Sequence, residues 1–262
     1  MAERASSALP GAVRDAGERP GGRPDDGPAG RRHARTSGPP GGTVVRLWLV
    51  DLRADAAVEN LAGSHLAEGE RWRVHRGTTA VRRRRVLLRA ALREAAGRLL
   101  GVAPPDVPLV EVAGRPVLAD GGRDLGISCS AGGRVGLVAI TEDTPVGVDV
   151  EPHREEDFAS VLDEGWLAPA EADRLVTLPP ALRVEAITRC WTQKEAVLKG
   201  LGLGLHRHPA TVRTPRDAAG RIDEWAVDAV PVPAGHAASV AVRTERTGIE
   251  LVIEDLALEG LR

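Results

Sequence analysis

Two short stretches, PVGVDVEP at 145–152 and WTQKEAVLK at 191–199, hold charged side chains at spacings that could do chemistry. Read as a strand, the first puts Val146, Val148 and Val150 on one face and Gly147, Asp149 and Glu151 on the other. Two carboxylates two positions apart on one face repel each other, and a cation between them removes that cost. A solvated strand face would show the same pattern. Read as a helix, the second stretch places Trp191, Glu195 and Lys199 at i, i+4 and i+8 on one face. As a surface pair, Glu195 and Lys199 would contribute only roughly a few tenths of a kcal/mol. The large aromatic beside them argues for partial burial, where charges need compensation. A hard divalent cation with oxygen ligands supplies it. Mg2+ takes one or two carboxylates and completes its shell with substrate phosphate, and an ammonium nearby acts as a point charge on that phosphate.

The same helix carries the chain's two lysines, Lys194 and Lys199, among 35 basic side chains; all the others are arginine. The composition has no Tyr and one Phe and is rich in Ala, Arg, Gly and Pro. That fits GC-rich coding, which turns tolerant lysines into arginines and leaves lysine where a guanidinium does not substitute. Lys199 shares the Glu195 face. Lys194 points about 100° away from Glu195 around the helix, which leaves it to pack or pair.

Bulk properties exclude several classes. Net charge is −2, and the RRRR run at 82–85 sits in an amphipathic helical pattern, so nucleic acid is not expected as a partner. Cys129 and Cys190 form no metal-type spacing and fit a reduced, cytoplasmic setting. No apolar run approaches the roughly 20 residues needed to span a bilayer, so no membrane association is expected. Neither a GxxxxGK[ST] loop nor a GxGxxG in strand–helix context is present, which argues against kinase and dehydrogenase chemistry.

Residues 1–42 hold nine Gly, six Pro, seven Arg and five acidic residues. With so little apolar surface to offset chain entropy, this tail is expected to be disordered. Order is expected from TVVRLWLVDL (43–52), an alternating strand. A helix follows from Val81, with Val81, Leu88, Leu92, Ala95, Ala96 and Leu99 facing the core and Gly101 as its stop. Strands are expected at 108–112, 125–130, 134–140 and 144–152. The second half reads as helices around 154–164, 168–177 and 181–201, then strands near 210–214, 224–230, 237–244 and 249–256. Each half runs from helices to strands, an α+β pattern with an N-terminal subdomain at 43–150 and a C-terminal one at 151–262. Within the first lie a GRP turn at 114–116 and two small hydroxyls, Ser128 and Ser130, each ordinary loop chemistry when taken singly.

Together the pieces resemble 4′-phosphopantetheinyl transferases of the Sfp type. Gly147 to Glu151 match that family's (V/I)G(V/I)D(V/I)E motif, and Trp191 to Lys199 match its W(T/S)xKEAxxKxxG motif. GRP corresponds to a family G-K/R-P turn and ISCSAGG (127–133) to an S-H-S-x-G segment, so the resemblance covers residues 66–205. It implies a pseudo-twofold fold of two similar α/β subdomains with the active site in the cleft between them. It also implies transfer of the phosphopantetheine arm of coenzyme A to a serine of an apo acyl or peptidyl carrier protein, releasing adenosine 3′,5′-bisphosphate. The two-half length of the chain points to a monomer, since each half can complete the site of the other. On this resemblance Asp149, Glu151 and Glu195 would hold Mg2+, and Lys199 would touch the pyrophosphate. Glu195 or Glu151 would orient or deprotonate the serine. Arg71, Arg73, Arg85 and Arg115 are candidates for the nucleotide end of coenzyme A, and Ser128 for cradling a phosphate. The departure is Cys129, where the family has a histidine that contacts a coenzyme A phosphate; a thiol is a poor donor to an anion. A diverged homologue that binds coenzyme A or a carrier without transferring is the alternative.

Overall fold

Strand β2 (Thr43–Asp51) alternates its side chains between two cores, and that alternation organises the molecule. Val45 and Leu47 face one core and Trp48 and Val50 the other. The computed structural model describes residues 34–38, 41–53, 58–74, 76–112, 114–119, 124–153, 158–202 and 207–256. After β1 (Ala34–Ser37) and β2 come helices α1 (Val58–His65), α2 (Glu68–Val74) and α3 (Thr79–Leu100). A hairpin, β3 (Leu109–Val112) and β4 (Arg115–Leu118), is followed by β5 (Leu125–Gly132), β6 (Val135–Glu142) and β7 (Val146–Pro152). Helices α4 (Phe158–Asp163), α5 (Pro169–Val176) and α6 (Pro180–Leu201) precede β8 (Gly220–Ile222), β9 (Trp225–Ala229), β10 (His236–Arg243) and β11 (Ile249–Glu254).

The strands make one sheet in the order β1-β11-β2-β6-β5 and a second in the order β7-β10-β9-β8. Helix α3 covers one face of the first sheet, where Val86, Leu87, Ala90 and Ala91 meet Trp48, Val138 and Ile140. The opposite face of that sheet packs on the second sheet, with Leu47, Leu137 and Ala139 against Val148, Val150 and Val240. The far face of the second sheet is covered by α6 through Ala196, Val197 and Leu198 against Trp225, Val227 and Ala241. The result is four layers, helix–sheet–sheet–helix, and an α+β fold. Both long helices end on a left-handed glycine, Gly101 at φ 74° and Gly202 at φ 75°, the conformation in which glycine lacks the Cβ penalty.

Several expectations shift. Val81, in the first turn of α3, is exposed, and Val86, Leu87, Ala90 and Ala91 are buried in addition to Leu92, Ala95 and Ala96. Of the 1–42 tail, residues 1–33 lie outside the described residues, but Ala34–Ser37 is a strand, antiparallel to β11. The division at 150/151 cuts through β7, and β11 joins the first sheet parallel to β2, so the described residues form one compact unit. No strand forms at 210–214. A 3-10 turn at Pro209–Thr211 stands there, and its carbonyls are used elsewhere, as described below.

Candidate functional site

Along β5, Leu125, Ile127, Cys129 and Ala131 point into the first core. The alternate residues, Gly126, Ser128, Ser130 and Gly132, are small because β7 lies against them. A Cβ on Gly126 would stand 2.1 Å from the Thr144 carbonyl oxygen, and one on Gly132 would stand 2.2 Å from that of Val150. The two serines bridge this seam between the sheets. Ser128 Oγ accepts the Val148 N–H at 3.1 Å, and Ser130 Oγ donates to Asp149 Oδ1 at 2.8 Å.

The other neighbour of β7 is α6. A Cβ at Gly147 would lie 1.9 Å from the Ala196 carbonyl oxygen, so only glycine lets the helix rest on the strand. That contact brings the open stripe of α6 over the carboxylate strand. Along 191–199 Trp191, Glu195 and Lys199 are partly exposed and the residues between them are buried. Lys199 Nζ bonds Asp149 Oδ1 at 2.6 Å and Ser130 Oγ at 2.8 Å. Asp149 is 2% exposed, yet its second oxygen, Oδ2, is buried with no hydrogen-bond partner. Burial and the neighbouring charges of Asp149 and Glu151 raise the Glu195 pKa above the usual glutamate value, against the opposing pull of Lys199.

These features fit a divalent cation. A buried carboxylate oxygen without a donor costs free energy, and one cation relieves both that and the repulsion among the acids. Among the described residues no three His, Cys, Asp or Glu side chains close into a ready-made cage. An ion that keeps water and phosphate in its shell does not need one. In the metal-free protein, the raised pKa of Glu195 means that its stabilising contribution is full below the ordinary value of 4.5 and is lost as pH rises through the folded value. Glu195→Gln should therefore raise the neutral-pH melting temperature by a few degrees while abolishing metal-dependent turnover. An unchanged melting temperature in calorimetry would contradict this.

Lys194 belongs elsewhere. It is fully buried, and its Nζ meets three acceptors: Glu171 Oε2 at 2.7 Å, Pro209 O at 3.0 Å and Val212 O at 2.5 Å. Three ammonium hydrogens for three acceptors is full satisfaction. Glu171 also accepts from Thr214 N and Oγ1 and from Ala168 N. Burial would raise its pKa, but these bonds and Lys194 outweigh it and hold the carboxyl below the usual range.

The arginine candidates divide. Arg73, Arg85 and Cys129 line one cleft of about 410 Å³, together with Glu70, Arg89 and Glu111. Arg71 does not line it; its guanidinium bonds the carbonyls of Gly63 and Leu66 at the end of α1. Arg115 lines a neighbouring depression with Val146 and Gly200 and lies against Gly202 at the end of α6. Ser128 Oγ is occupied at the sheet seam. Within the RRRR run, Arg82 pairs with Glu59 and Arg85 bonds the Arg76 carbonyl. Burial pushes the Cys129 thiol up, against the pull of Arg89, Lys199 and Arg115, so it is neutral among cations. If the cleft takes a phosphate, Cys129→His should tighten coenzyme A about tenfold, one charge-assisted hydrogen bond, in calorimetry. Unchanged or weaker binding would mean that Arg89 already fills that role.

Two residues of the site have no role assigned from the sequence: Ser130 is only one of two small hydroxyls on a strand, and Arg89 only one arginine among many on an amphipathic helix. A third element of the site is a slot of about 200 Å³ lined by Val161, Trp166, Ile187 and Trp191, with Glu151, Glu164 and Thr188 as its polar groups. Its two tryptophans meet edge to face with centroids 5.0 Å apart.

Residues 145–229 match the family model of the 4′-phosphopantetheinyl transferase superfamily, a stretch that contains β7 and α6. The chain is 31% identical over 166 residues to the 4′-phosphopantetheinyl transferase HetI of Nostoc sp. (strain PCC 7120), covering 62% of this chain and 70% of that protein. It is 27% identical over 147 residues to slr0495 of Synechocystis sp. (strain PCC 6803), covering 55% of this chain and 58% of that protein. The chain belongs to the 4′-phosphopantetheinyl transferase superfamily and is a transferase of that class. Among the described residues no helix is long and apolar enough to cross a membrane.

Proposed function

We propose that this protein, acting as a cytoplasmic monomer of the Sfp type, transfers the phosphopantetheine arm of coenzyme A to a serine of an apo acyl or peptidyl carrier protein. Adenosine 3′,5′-bisphosphate is the leaving group and Mg2+ is required. The observation that carries this reading is the Asp149–Glu195–Lys199 cluster, with its buried, donor-less Asp149 Oδ2. Asp149 and Glu195 would hold Mg2+, and Glu151 would complete the site directly or through water. When bound, the ion neutralises charge on the pyrophosphate and on the departing phosphate, the main need of phosphoryl transfer.

The residues of the chain do the rest. Lys199 gives two of its three ammonium hydrogens to Asp149 and Ser130, and the third, on a partly exposed group, is left for a phosphate that enters beside it. Arg73, Arg85 and Arg89 offer guanidiniums to the nucleotide end in a cleft they share with Glu70 and Glu111, where Arg73 pairs with Glu111 at 3.0 Å and Arg89 with Glu70 at 3.6 Å. The slot between Trp166 and Trp191, opening beside Glu151, suits an uncharged, extended arm. Glu151 or Glu195 orients or takes the proton of the attacking serine.

The test is intact mass. Apo carrier proteins of several types are incubated with the protein, coenzyme A and Mg2+, with EDTA in a parallel sample. A phosphopantetheine mass gain that EDTA abolishes is expected. Coenzyme A binding without any gain would instead establish the diverged, non-catalytic homologue, and no binding at all would overturn the reading.

A further inference from the structure

Asp149 has two oxygens in opposite circumstances. Oδ1 receives Ser130 Oγ at 2.8 Å and Lys199 Nζ at 2.6 Å, whereas Oδ2 is buried with no partner. The direction of each bond is fixed by chemistry. An ammonium only donates, so Ser130 Oγ must accept from Lys199 at 2.8 Å, and its single hydrogen must go to Asp149. Ser130 is itself only 6% exposed and is held in register by its strand opposite Leu137. It thus joins the strand carboxylate to the helix ammonium from a third element, β5.

We infer that Ser130 is a positioning residue for the metal: by holding Asp149 Oδ1 and Lys199 Nζ together, it keeps Oδ2 as the oxygen offered to a divalent cation. This rests on the metal reading given above. Without the hydroxyl, the carboxylate is free to rotate and Lys199 can pair with both oxygens, in direct competition with the cation. Groups that orient a metal ligand in this way affect affinity although they never touch the ion.

Ser128 supplies an internal control. It lies two residues away on the same face of the same strand and is equally buried, but it bonds the Val148 N–H and not Asp149. The experiment titrates Mn2+ into the full chain with saturating coenzyme A and no carrier, reading free Mn2+ by electron paramagnetic resonance, with melting curves in parallel. Ser130→Ala is expected to weaken Mn2+ by about 10–100-fold. Ser128→Ala is expected to lower the melting temperature and leave Mn2+ affinity as it was. Should Ser130→Ala fail to fold, Ser130→Cys keeps the volume with a weak donor and repeats the measurement. Equal Mn2+ affinity in Ser130→Ala and the unaltered protein, or equal loss in both serine variants, would overturn the inference and leave the metal reading standing. No Mn2+ binding by the unaltered protein would overturn the metal reading itself.

Discussion

Lys194→Met will cost about 3–5 kcal/mol of folding stability, measured by urea unfolding, because it leaves Glu171 charged in a buried site. Two backbone carbonyls, of Pro209 and Val212, lose their donor at the same time. Lys194→Arg will not rescue it. A guanidinium carries five donors into a site that offers three acceptors and no solvent. The pH dependence separates this mechanism from simple loss of packing. In the unaltered protein Glu171 has a lowered pKa, so its contribution is present above the ordinary carboxylate value and is lost as pH falls through the lower, folded value. Without Lys194 the buried carboxyl should titrate above its ordinary value. The deficit of the variant should then shrink as pH falls toward 5. A deficit independent of pH would mean that the ion pair is not its cause. Adding Glu171→Gln to Lys194→Met should recover part of the loss, which a double-mutant cycle measures.

Asp149→Asn is the second large effect, and it falls on turnover. The substitution keeps the size and shape of the side chain but removes the charge that Lys199 uses and that the proposed metal would need. Transfer in the intact-mass assay should fall at least about a hundredfold, the scale expected when one principal electrostatic contact to developing charge is removed. Stability should barely drop, since the change also removes repulsion with Glu195. A folded Asp149→Asn protein that keeps most of its turnover would remove Asp149 from the metal site.

The two lysines therefore stand in one helix for different reasons. Lys199 reaches the carboxylate strand at a partly open edge, and Lys194 satisfies three acceptors in a closed one. Periodicity showed which face of the strand carries Asp149 and which face of the helix carries Glu195, and the family resemblance put both in one site; the close contact at Gly147 that brings the two elements together is visible only in the structure. What could not be read were partners distant in sequence. Nothing near Lys194 announces Glu171, and nothing near Arg93 announces its pairing with Glu70 at 2.6 Å. The expected strand at 210–214 failed for the same reason, since its carbonyls serve Lys194 rather than a ladder. Helix α2 was missed because only Val74 of its seven residues is buried, which leaves almost no amphipathic signal. The resemblance names Arg71 and Arg115 with Arg73 and Arg85, but Arg71 on α2 bonds carbonyls at the end of α1 and Arg115 lies in the neighbouring depression beside Gly200.

The parallel pairing of β11 with β2 has a consequence for how the chain is made. The first sheet contains the earliest strands of the protein, but its second position is filled by residues 249–254, fastened further by the Arg46–Glu254 pair at 2.6 Å. During synthesis the N-terminal layers must wait, with the edge of β2 open, until residues 249–254 have left the ribosome. Contacts of such long sequence separation also close slowly. A nascent chain stalled before residue 249 would carry the Asp149 strand and the helix that faces it on an unfinished scaffold, so β11 acts as the checkpoint at which these layers close.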